Sequence, residues 1–491
     1  MWTRESLSQL VREKLGGYLF IVVSNREPYI HTFAGRKIVT QVPASGLTVA
    51  LDPVMQACGG TWVAHGSGDA DREVVDQHSR VSVPPDDPKY CLRRVWLSKE
   101  EEDGYYYGFA NEALWPLCHI AYTRPIFSEA HWKTYKKVNA LFADTVLSEI
   151  GDRKAFVFVQ DYHLALLPRM LKERSPNVIV AQFWHIPWPN PEAFRVCPWS
   201  DEILAGLLGN DLLGFHIRYH CNNFLDTIDR VLEARVDRDR YEVTCQGKKT
   251  GVRPFPISID FDEIDQDSRK AEVDQEIERL RDRFGLTGEL VGIGLDRVDY
   301  TKGIPERFRG LDRFFDKYPE YRGRVVFIQA GVPSRTQVDA YQRLNEEIDA
   351  LVNVINRKNS IGHWKPIIYL REHETPLTLM ALRRMASFCV VSSLHDGMNL
   401  VAKEFPAARW DEDGVLILSP FTGAARELTD ALLVNPYATD HFADAIKLAL
   451  EMPLEERQKR MRRMRDMLRE NNIYKWAAET ITELARFEFG G

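Results

Sequence analysis

Short runs of β-branched and aromatic residues alternate along the chain with stretches whose apolar positions recur every three or four residues. The first kind is continuously hydrophobic: Tyr18–Val23 (YLFIVV), Ala155–Val159 (AFVFV), Val178–Trp184 (VIVAQFW) and Asp211–Phe215 (DLLGF). A short apolar run without alternation reads as a strand covered on both faces. The second half repeats the style at Leu290–Leu295, Arg324–Gln329, Pro366–Leu370, Phe388–Ser392 and Val415–Ser419. The second kind is helical. After Ser334, the residues Val338, Tyr341, Leu344, Ile348, Leu351 and Ile355 fall on one face. Buried strands alternating with amphipathic helices predict an α/β protein with parallel sheets covered on both sides.

One boundary stands out. Tyr241–Lys249 reads as a polar hairpin with its turn at Gln246–Gly247. A proline-bearing strand follows within Thr250–Glu263 (TGVRPFPISIDFDE), and a charged helix begins near Asp262. A hinge between Pro254 and Ile259 divides the chain into two α/β halves. The expected domains are residues 1–256, residues 257–465, and a helix over 466–491 that packs back on the N-terminal domain. That tail carries Trp476 in its apolar face. Before it, the basic cluster Arg457–Arg469, interleaved with Met461, Met464 and Met467, is expected to be a solvated helix face.

In open α/β sheets ligands bind outside the carboxyl ends of the strands, so the residues that follow strands carry the chemistry. Arg26 follows the first strand and suits a phosphate or carboxylate. Ser45-Gly46 opens a helix with small residues, which lets backbone amides approach an anion. Asp161 follows the second long strand and His185 the third. Arg297 and Lys302 lie on the short loop Asp296–Gly303 that feeds a helix, an arrangement suited to a diphosphate. Arg335 follows Ser334, a candidate N-cap. In His395–Glu404 (HDGMNLVAKE) a turn delivers Asp396, then a helix start, then Glu404 one turn further in, able to accept from the adjacent hydroxyls of a ribose. Structural alternatives stand beside these: Arg26 paired with Glu27, Arg297 paired with Asp296 or Asp299, and His185 as a satisfied structural histidine. The set Arg26, Arg297, Lys302, Arg335, Asp161, Asp396 and Glu404 matches one phosphorylated sugar and one nucleotide diphosphate sugar. It calls for no metal, and the DxD string Asp237-Arg238-Asp239 reads as a solvated loop.

Composition narrows the class. With 44% hydrophobic and 27% charged residues the chain is globular, which excludes disordered and coiled-coil classes. A net charge of −7 gives no support to nucleic-acid or membrane binding over the whole surface. No apolar run is long enough to span a bilayer, and the start lacks the apolar region of a signal peptide. The seven cysteines are scattered with no CxxC, so reduced thiols and a cytoplasmic location are expected.

Several strings in register carry a resemblance: DYHLALLP (Asp161–Pro168), HIPWPNPEAF (His185–Phe194), DLLGFH (Asp211–His216), RVDYTKGIPERF (Arg297–Phe308), DGMNLVAKEF (Asp396–Phe405) and NPY (Asn435–Tyr437). The chain resembles the trehalose-6-phosphate synthase family, glycosyltransferase family 20, over residues 18–485. The resemblance implies a GT-B fold, with two Rossmann-like domains whose parallel sheets face each other across a cleft. It implies a retaining glucosyltransferase moving glucose from a nucleotide diphosphate glucose, UDP-glucose favoured, to glucose 6-phosphate, giving trehalose 6-phosphate. The partners are then the nucleotide sugar and the sugar phosphate, with no nucleic acid, membrane, metal or cofactor, and a homo-oligomer is expected.

Residue by residue, the resemblance gives Gly46, His185, Arg297, Lys302, Asp396, Gly397, Met398, Asn399, Leu400, Val401 and Glu404 to the donor. It gives Arg26, Tyr106, Trp115, Asp161 and Arg335 to the acceptor. Asp161, His185, Arg297, Lys302 and Asp396 form the catalytic set. Tyr106 and Trp115 come from YYYGFANEALW, which otherwise reads as an aromatic core helix. Front-face attack with retention follows, the leaving phosphate helping to take the acceptor's proton. Four positions depart from the family pattern: Ser45, His65, Gln160 and His395. They bear on the acceptor, and glycerol phosphate or a cyclitol phosphate remain alternatives. A catalytically silent regulatory homologue and a pyridoxal-phosphate phosphorylase of the same architecture are further ones.

Overall fold

The computed structural model describes residues 1–43, 46–175 and 178–487. The chain divides into two compact units, Met1–Ile257 with Ile473–Gly491, and Ser258–Asn472.

The first unit contains β1 (Leu19–Ser24), β2 (Ile30–Ala34), β3 (Lys37–Gln41), β4 (Thr61–His65), β5 (Arg80–Val83), β6 (Tyr90–Val95), β7 (Ala155–Gln160), β8 (Val178–Phe183), β9 (Leu212–Phe215), β10 (Arg235–Asp237), β11 (Glu242–Cys245) and β12 (Lys248–Pro254). β2 and β3 pair as a separate hairpin, and the other ten form one sheet in the order β10-β11-β12-β9-β8-β7-β1-β4-β6-β5. From β12 to β6 all neighbours are parallel, and antiparallel strands close both edges. Large residues face small ones in the register, as with Phe158 opposite Ala181. Ile21, Val22, Val23, Val157 and Val159 are all fully buried. Each such side chain stabilises the fold by about 1.5–3 kcal/mol relative to leaving it in water. The expected hairpin is β11–β12. Its two turn residues, Gln246 and Gly247, both have positive φ, 50° and 79°, the conformation that matches strand twist in a two-residue connection.

The second unit contains β13 (Leu290–Val298), β14 (Val325–Pro333), β15 (Ile367–Leu370), β16 (Phe388–Val391), β17 (Val415–Leu418) and β18 (Leu432–Leu433). All neighbours are parallel in the order β15-β14-β13-β16-β17-β18. β13 and β14 run further than the apolar runs Leu290–Leu295 and Arg324–Gln329, because they stay paired through Val298 and Pro333. The core under this sheet is built by Ile304, Phe308, Leu311, Phe314 and Phe315 packing with Phe442 and Ile446.

The helix Asp339–Asn359 buries Tyr341, Leu344, Ile348 and Ile355, the stripe read from the sequence. Ser334 does not cap it. The helix starts after Val338, and Ser334 Oγ instead donates to the Val298 carbonyl at 2.8 Å. The expected boundary at 465/466 falls inside the continuous helix Leu454–Glu470, and the chain joins the first unit at Ile473 instead. Within that helix Arg465 is not solvated. It is buried, donates to the carbonyls of Pro406 and Ala407, and pairs with Asp265, so it satisfies the end of the helix Val401–Ala408. The last helix, Ile473–Leu484, sets Trp476 against Phe158 and Phe183, and its Nε1 donates to the Phe255 carbonyl at 3.2 Å. Among the described residues no helix is long and apolar enough to cross a membrane.

Candidate functional site

Along the parallel part of each sheet the strand order reverses once. In the first unit β4 and β6 lie to one side of β1, and β7, β8, β9 and β12 to the other, so the switch falls between β1 and β7. In the second unit it falls between β13 and β16. Neighbouring crossovers depart to opposite faces there, which opens a crevice at the carboxyl ends of the two strands. The residues picked out from the sequence stand at these points: Arg26 and Asp161 after β1 and β7, the 296–303 segment at the end of β13 and beyond it, and the 393–404 segment after β16.

Around the first switch point, Arg26 donates to the Tyr106 hydroxyl at 3.0 Å. Glu27 does not pair with Arg26. It accepts from Arg94 Nε at 2.7 Å and from the Ser67 amide at 2.8 Å. Arg94 also reaches Asp71 at 2.8 Å, His31 Nδ1 at 2.8 Å and the Tyr29 carbonyl at 3.0 Å. One fully buried guanidinium thus serves two buried carboxylates. Burial, together with neighbouring Asp71, pushes Glu27 up to about 8 against the pull of Arg94. This network pins the loop that carries Arg26.

Tyr106 lies on Asp103–Leu114, a π-helical stretch rather than the ordinary core helix expected. Such widened turns concentrate at functional sites. The Tyr106 ring stacks on His163 at 5.6 Å, Tyr162 follows at 4.0 Å from His163, and Trp115 lies 5.8 Å from Tyr162. Trp115 is therefore buried in an aromatic chain behind Tyr106, with His119 close on it at 4.1 Å. Asp161 takes φ 70° and ψ 176°, a conformation glycine adopts readily and other residues at a cost of about 1–3 kcal/mol. Its Oδ1 accepts from the His185 amide at 3.2 Å. His185 Nε2 lies 2.9 Å from Gln160 Oε1, and burial pushes the imidazole down to about 3, so the ring is neutral. Gly46 opens the helix Gly46–Cys58, and Ser45 lies outside the described residues.

Around the second switch point, Lys302 Nζ lies 2.6 Å from Asp396 Oδ2. The same oxygen accepts from Ser393 Oγ at 3.2 Å and Asn399 Nδ2 at 3.1 Å. Asn399, at φ 83°, turns its Oδ1 back to cap the amide of Ala402 at 3.0 Å, so that first-turn amide is already satisfied. The turn is held from behind: Gly423 donates to the Asp396 carbonyl at 3.1 Å and Ala424 to the Met398 carbonyl at 2.9 Å. A Cβ at Gly423 would sit 2.0 Å from the Gly397 carbonyl oxygen, so only glycine fits this brace. Leu400 and Val401 are half-buried at the helix start. Glu404, one turn on, pairs with Arg383.

Both carboxylates weighed as partners of Arg297 are also met by other cations. Asp296 Oδ2 is held by Arg307 at 2.6 Å, and Asp299 by Arg335 at 3.2 Å. Arg335 is therefore buried against Asp299 and the Tyr341 ring, rather than extended toward solvent. Burial raises Asp299, but Arg335, Arg297 and the Thr301 amide outweigh it and hold its carboxyl below the usual range. Arg307 escaped the sequence reading although it stands in the string PERF. Fully buried, it ties Asp296 of β13, Gln329 of β14 and Ser392 after β16 together at 2.6, 2.6 and 3.0 Å. The signal was Gly294: a Cβ there would come 2.2 Å from Arg307 Nη1. Among the described residues no group of His, Cys, Asp and Glu side chains gathers as a metal site.

The model of glycosyltransferase family 20 matches residues 18–486. The chain belongs to glycosyltransferase family 20. It is 37% identical over 476 residues to trehalose-6-phosphate synthase of Mycobacterium avium, covering 95% of each chain. It is 38% identical over 477 residues to a bifunctional trehalose-6-phosphate synthase/phosphatase of Thermoproteus tenax, where it covers 94% of its own length but spans only 63% of that relative's. Two solved structures are similar over nearly the whole chain. One is from E. coli, bound with UDP-2-fluoro glucose, with TM-score 0.85, 32% identity, and 96% of this chain and 99% of that one covered. The other is a UDP-forming alpha,alpha-trehalose-phosphate synthase from Burkholderia xenovorans in complex with glucose-6-phosphate, with TM-score 0.85, 30% identity, and 95% and 99% covered.

Within this family 20 glycosyltransferase the departing residues have distinct settings. His65 ends β4, beside β1, and burial pushes it down to about 4, so it is neutral. Gln160 ends β7 and faces His185. His395 is half-buried in the turn before Asp396.

Proposed function

We propose that this glycosyltransferase moves glucose from UDP-glucose to glucose 6-phosphate, forming trehalose 6-phosphate with retention at the donor's anomeric carbon. The observation that carries the reading is the placement of the family strings at both switch points, with Arg26 and Asp161 at one and Lys302 and Asp396 at the other. Family membership and the similarity to relatives of that activity support it.

In this reading Arg297 and Lys302 meet the leaving diphosphate, where negative charge grows as the anomeric C–O bond breaks. The 2.6 Å contact with Asp396 orients the Lys302 ammonium before any donor arrives, and preorganised charge costs no rearrangement at the moment of reaction. His185 and Asp396 address the donor sugar, Asp161 orients the acceptor hydroxyl, and Arg26 with Tyr106 addresses the acceptor's phosphate. Trp115 packs on Tyr162, in the aromatic chain that reaches Tyr106 through His163.

Glu404 addresses the ribose, and Arg383 holds its carboxylate in place. A ribose contact is nearly equal in ground and transition states. Glu404→Gln is therefore expected to raise KM for UDP-glucose about tenfold with little change in kcat, the scale of one charged hydrogen bond. A loss confined to kcat would remove Glu404 from the ribose.

Activity is also expected to survive exhaustive chelation. Each carboxylate of the second switch point is already matched by a cation: Asp296 by Arg307, Asp299 by Arg335 and Asp396 by Lys302. A requirement for Mg²⁺ or Mn²⁺, restored on titration after dialysis against chelator, would reverse that view.

The test of the function is a matrix of nucleotide sugars against sugar, glycerol and cyclitol phosphates, with the product's anomeric configuration read by NMR. An α,α-linked disaccharide phosphate from UDP-glucose and glucose 6-phosphate is expected. Turnover only of a three-carbon or cyclitol phosphate would refute the acceptor.

A further inference from the structure

The structure assigns to Gln160 the role of a positioning residue that fixes the tautomer of His185, so that the ring offers Nδ1 as an acceptor to a hydroxyl of the donor sugar. The assignment deepens the reading of His185 as a donor-sugar contact and rests on it.

Gln160 is the last residue of β7 and is fully buried. In the parallel register it stands opposite Phe183, so the chain leaving β8 brings His185 back over it. Gln160 Oε1 lies 2.9 Å from His185 Nε2. An amide oxygen only accepts, so the ring nitrogen facing it carries the proton. The other end of the amide fixes its orientation, because Gln160 Nε2 faces the Phe158 carbonyl at 3.5 Å. A neutral imidazole has one N–H. Placing it on Nε2 leaves Nδ1 with a lone pair, which suits a group that donates, as a sugar hydroxyl does.

The backbone around the ring is equally constrained. The His185 amide donates to Asp161 Oδ1 at 3.2 Å, and His216 Nε2 lies 3.1 Å from the His185 carbonyl oxygen. Asp161 is held in its strained conformation by its own amide donating to the Phe183 carbonyl at 2.7 Å and by Gln182 Nε2 donating to the Asp161 carbonyl at 2.9 Å. Two titratable groups pack around His185: Asp161, just after β7, and His216, just after β9, whose ring is 5.4 Å away. His185 Nε2 is met by the uncharged amide of Gln160. A neutral partner holds the tautomer without favouring the imidazolium, and burial keeps the ring neutral. A carboxylate at position 160 would hold the same proton and also invite a second one.

Two measurements on the full chain test this. The first is two-bond proton–nitrogen correlation on protein labelled with ¹⁵N-histidine, with His185→Asn used to assign the signals. A single Nε2–H pattern for His185, unchanged from about pH 5 to 8, is expected. An Nδ1–H pattern or a mixture of both overturns the proposal, and this readout needs no active variant. The second compares kcat/KM for UDP-glucose across pH as a ratio of variant to wild type, so that groups common to both cancel. Gln160→Glu is expected to show a ratio that falls at least tenfold with decreasing pH along a single acid limb between about pH 5 and 8, as the imidazolium loses its acceptor. Gln160→Leu is expected to lose about tenfold at every pH, the scale of one hydrogen bond in a buried site, with KM for glucose 6-phosphate unchanged. A ratio for Gln160→Glu that is flat with pH, or an equal loss on both substrates in Gln160→Leu, overturns the proposal. If wild type fails to turn over UDP-glucose, the functional reading falls while the spectra still decide the tautomer.

Discussion

Lys302→Ala is expected to lower kcat by about 10²–10³-fold, equivalent to about 2.7–4 kcal/mol of transition-state stabilisation, as for other donors aimed at developing negative charge. Lys302 sits on the turn between β13 and the helix Ile304–Lys317, where Gly303 takes φ 62° and a Cβ would strike the Ser392 carbonyl at 2.2 Å. Ser392 Oγ donates to the carbonyls of Lys302 and Gly303, at 3.1 and 2.9 Å, so the backbone under the ammonium is fixed from the neighbouring strand. The fold should tolerate the change. Asp396 keeps its bonds from Ser393 and Asn399, and the contact it loses is partly solvated. The measurement is kcat at saturating UDP-glucose and glucose 6-phosphate, with a thermal melt as control. Arg297→Ala should behave alike. An effect confined to KM would mean that these cations serve ground and transition states equally, and their catalytic assignment would fail.

Arg335→Ala is expected to cost about 3–5 kcal/mol of folding stability, because it strands the fully buried carboxylate of Asp299. The pH dependence follows from the direction of the Asp299 shift. In the wild type its folded pKa lies below the unfolded value, so its contribution is present at neutral pH and is lost as pH falls below about 4. In the variant the largest influence, burial, loses its main opponent and the folded pKa moves upward. The stability gap between the two proteins should therefore narrow as pH falls. Urea melts at neutral and acidic pH would measure it. Replacing both partners, Arg335→Met with Asp299→Asn, should restore most of the loss, since a neutral buried pair strands no charge. If Arg335 also meets the acceptor's phosphate, the restored double variant should still use glucose 6-phosphate poorly. A double variant as unstable as the single one would show that the ion pair is not what Arg335 supplies to the fold.

The strands that were legible in the sequence are those whose side chains form a nearly unbroken apolar, buried run, β1, β7 and β8 among them. β4 and β6 were not, and the reason lies in their polar residues. Arg94 sits in β6 and His65 ends β4, both buried, and they interrupt the apolar run that marks a covered strand. Arg94 is tolerated inside because Glu27 and Asp71, 67 and 23 residues away in sequence, come to meet it. The site shows the same division. Arg26, Asp161, Lys302 and Asp396 could be picked out because each follows a recognisable strand. Arg307 lies within a helix and reads as one charge among several. Only the packing of three strand ends around it makes it the tie beneath the second switch point.

The alternation of buried strands and amphipathic helices determined the α/β class, and the strings after the strands determined the family. Both are local properties, written in consecutive residues and in the spacing of apolar positions. The tertiary structure decided strand order, and with it which strand ends adjoin. It decided that Glu27 serves Arg94 rather than Arg26, that Arg335 is committed to Asp299, and that Gln160 faces His185. These are pairings between residues far apart in the chain. A buried charge or amide takes whichever partner the closed fold brings within hydrogen-bond reach, because leaving it unpaired costs more than any local preference can offset.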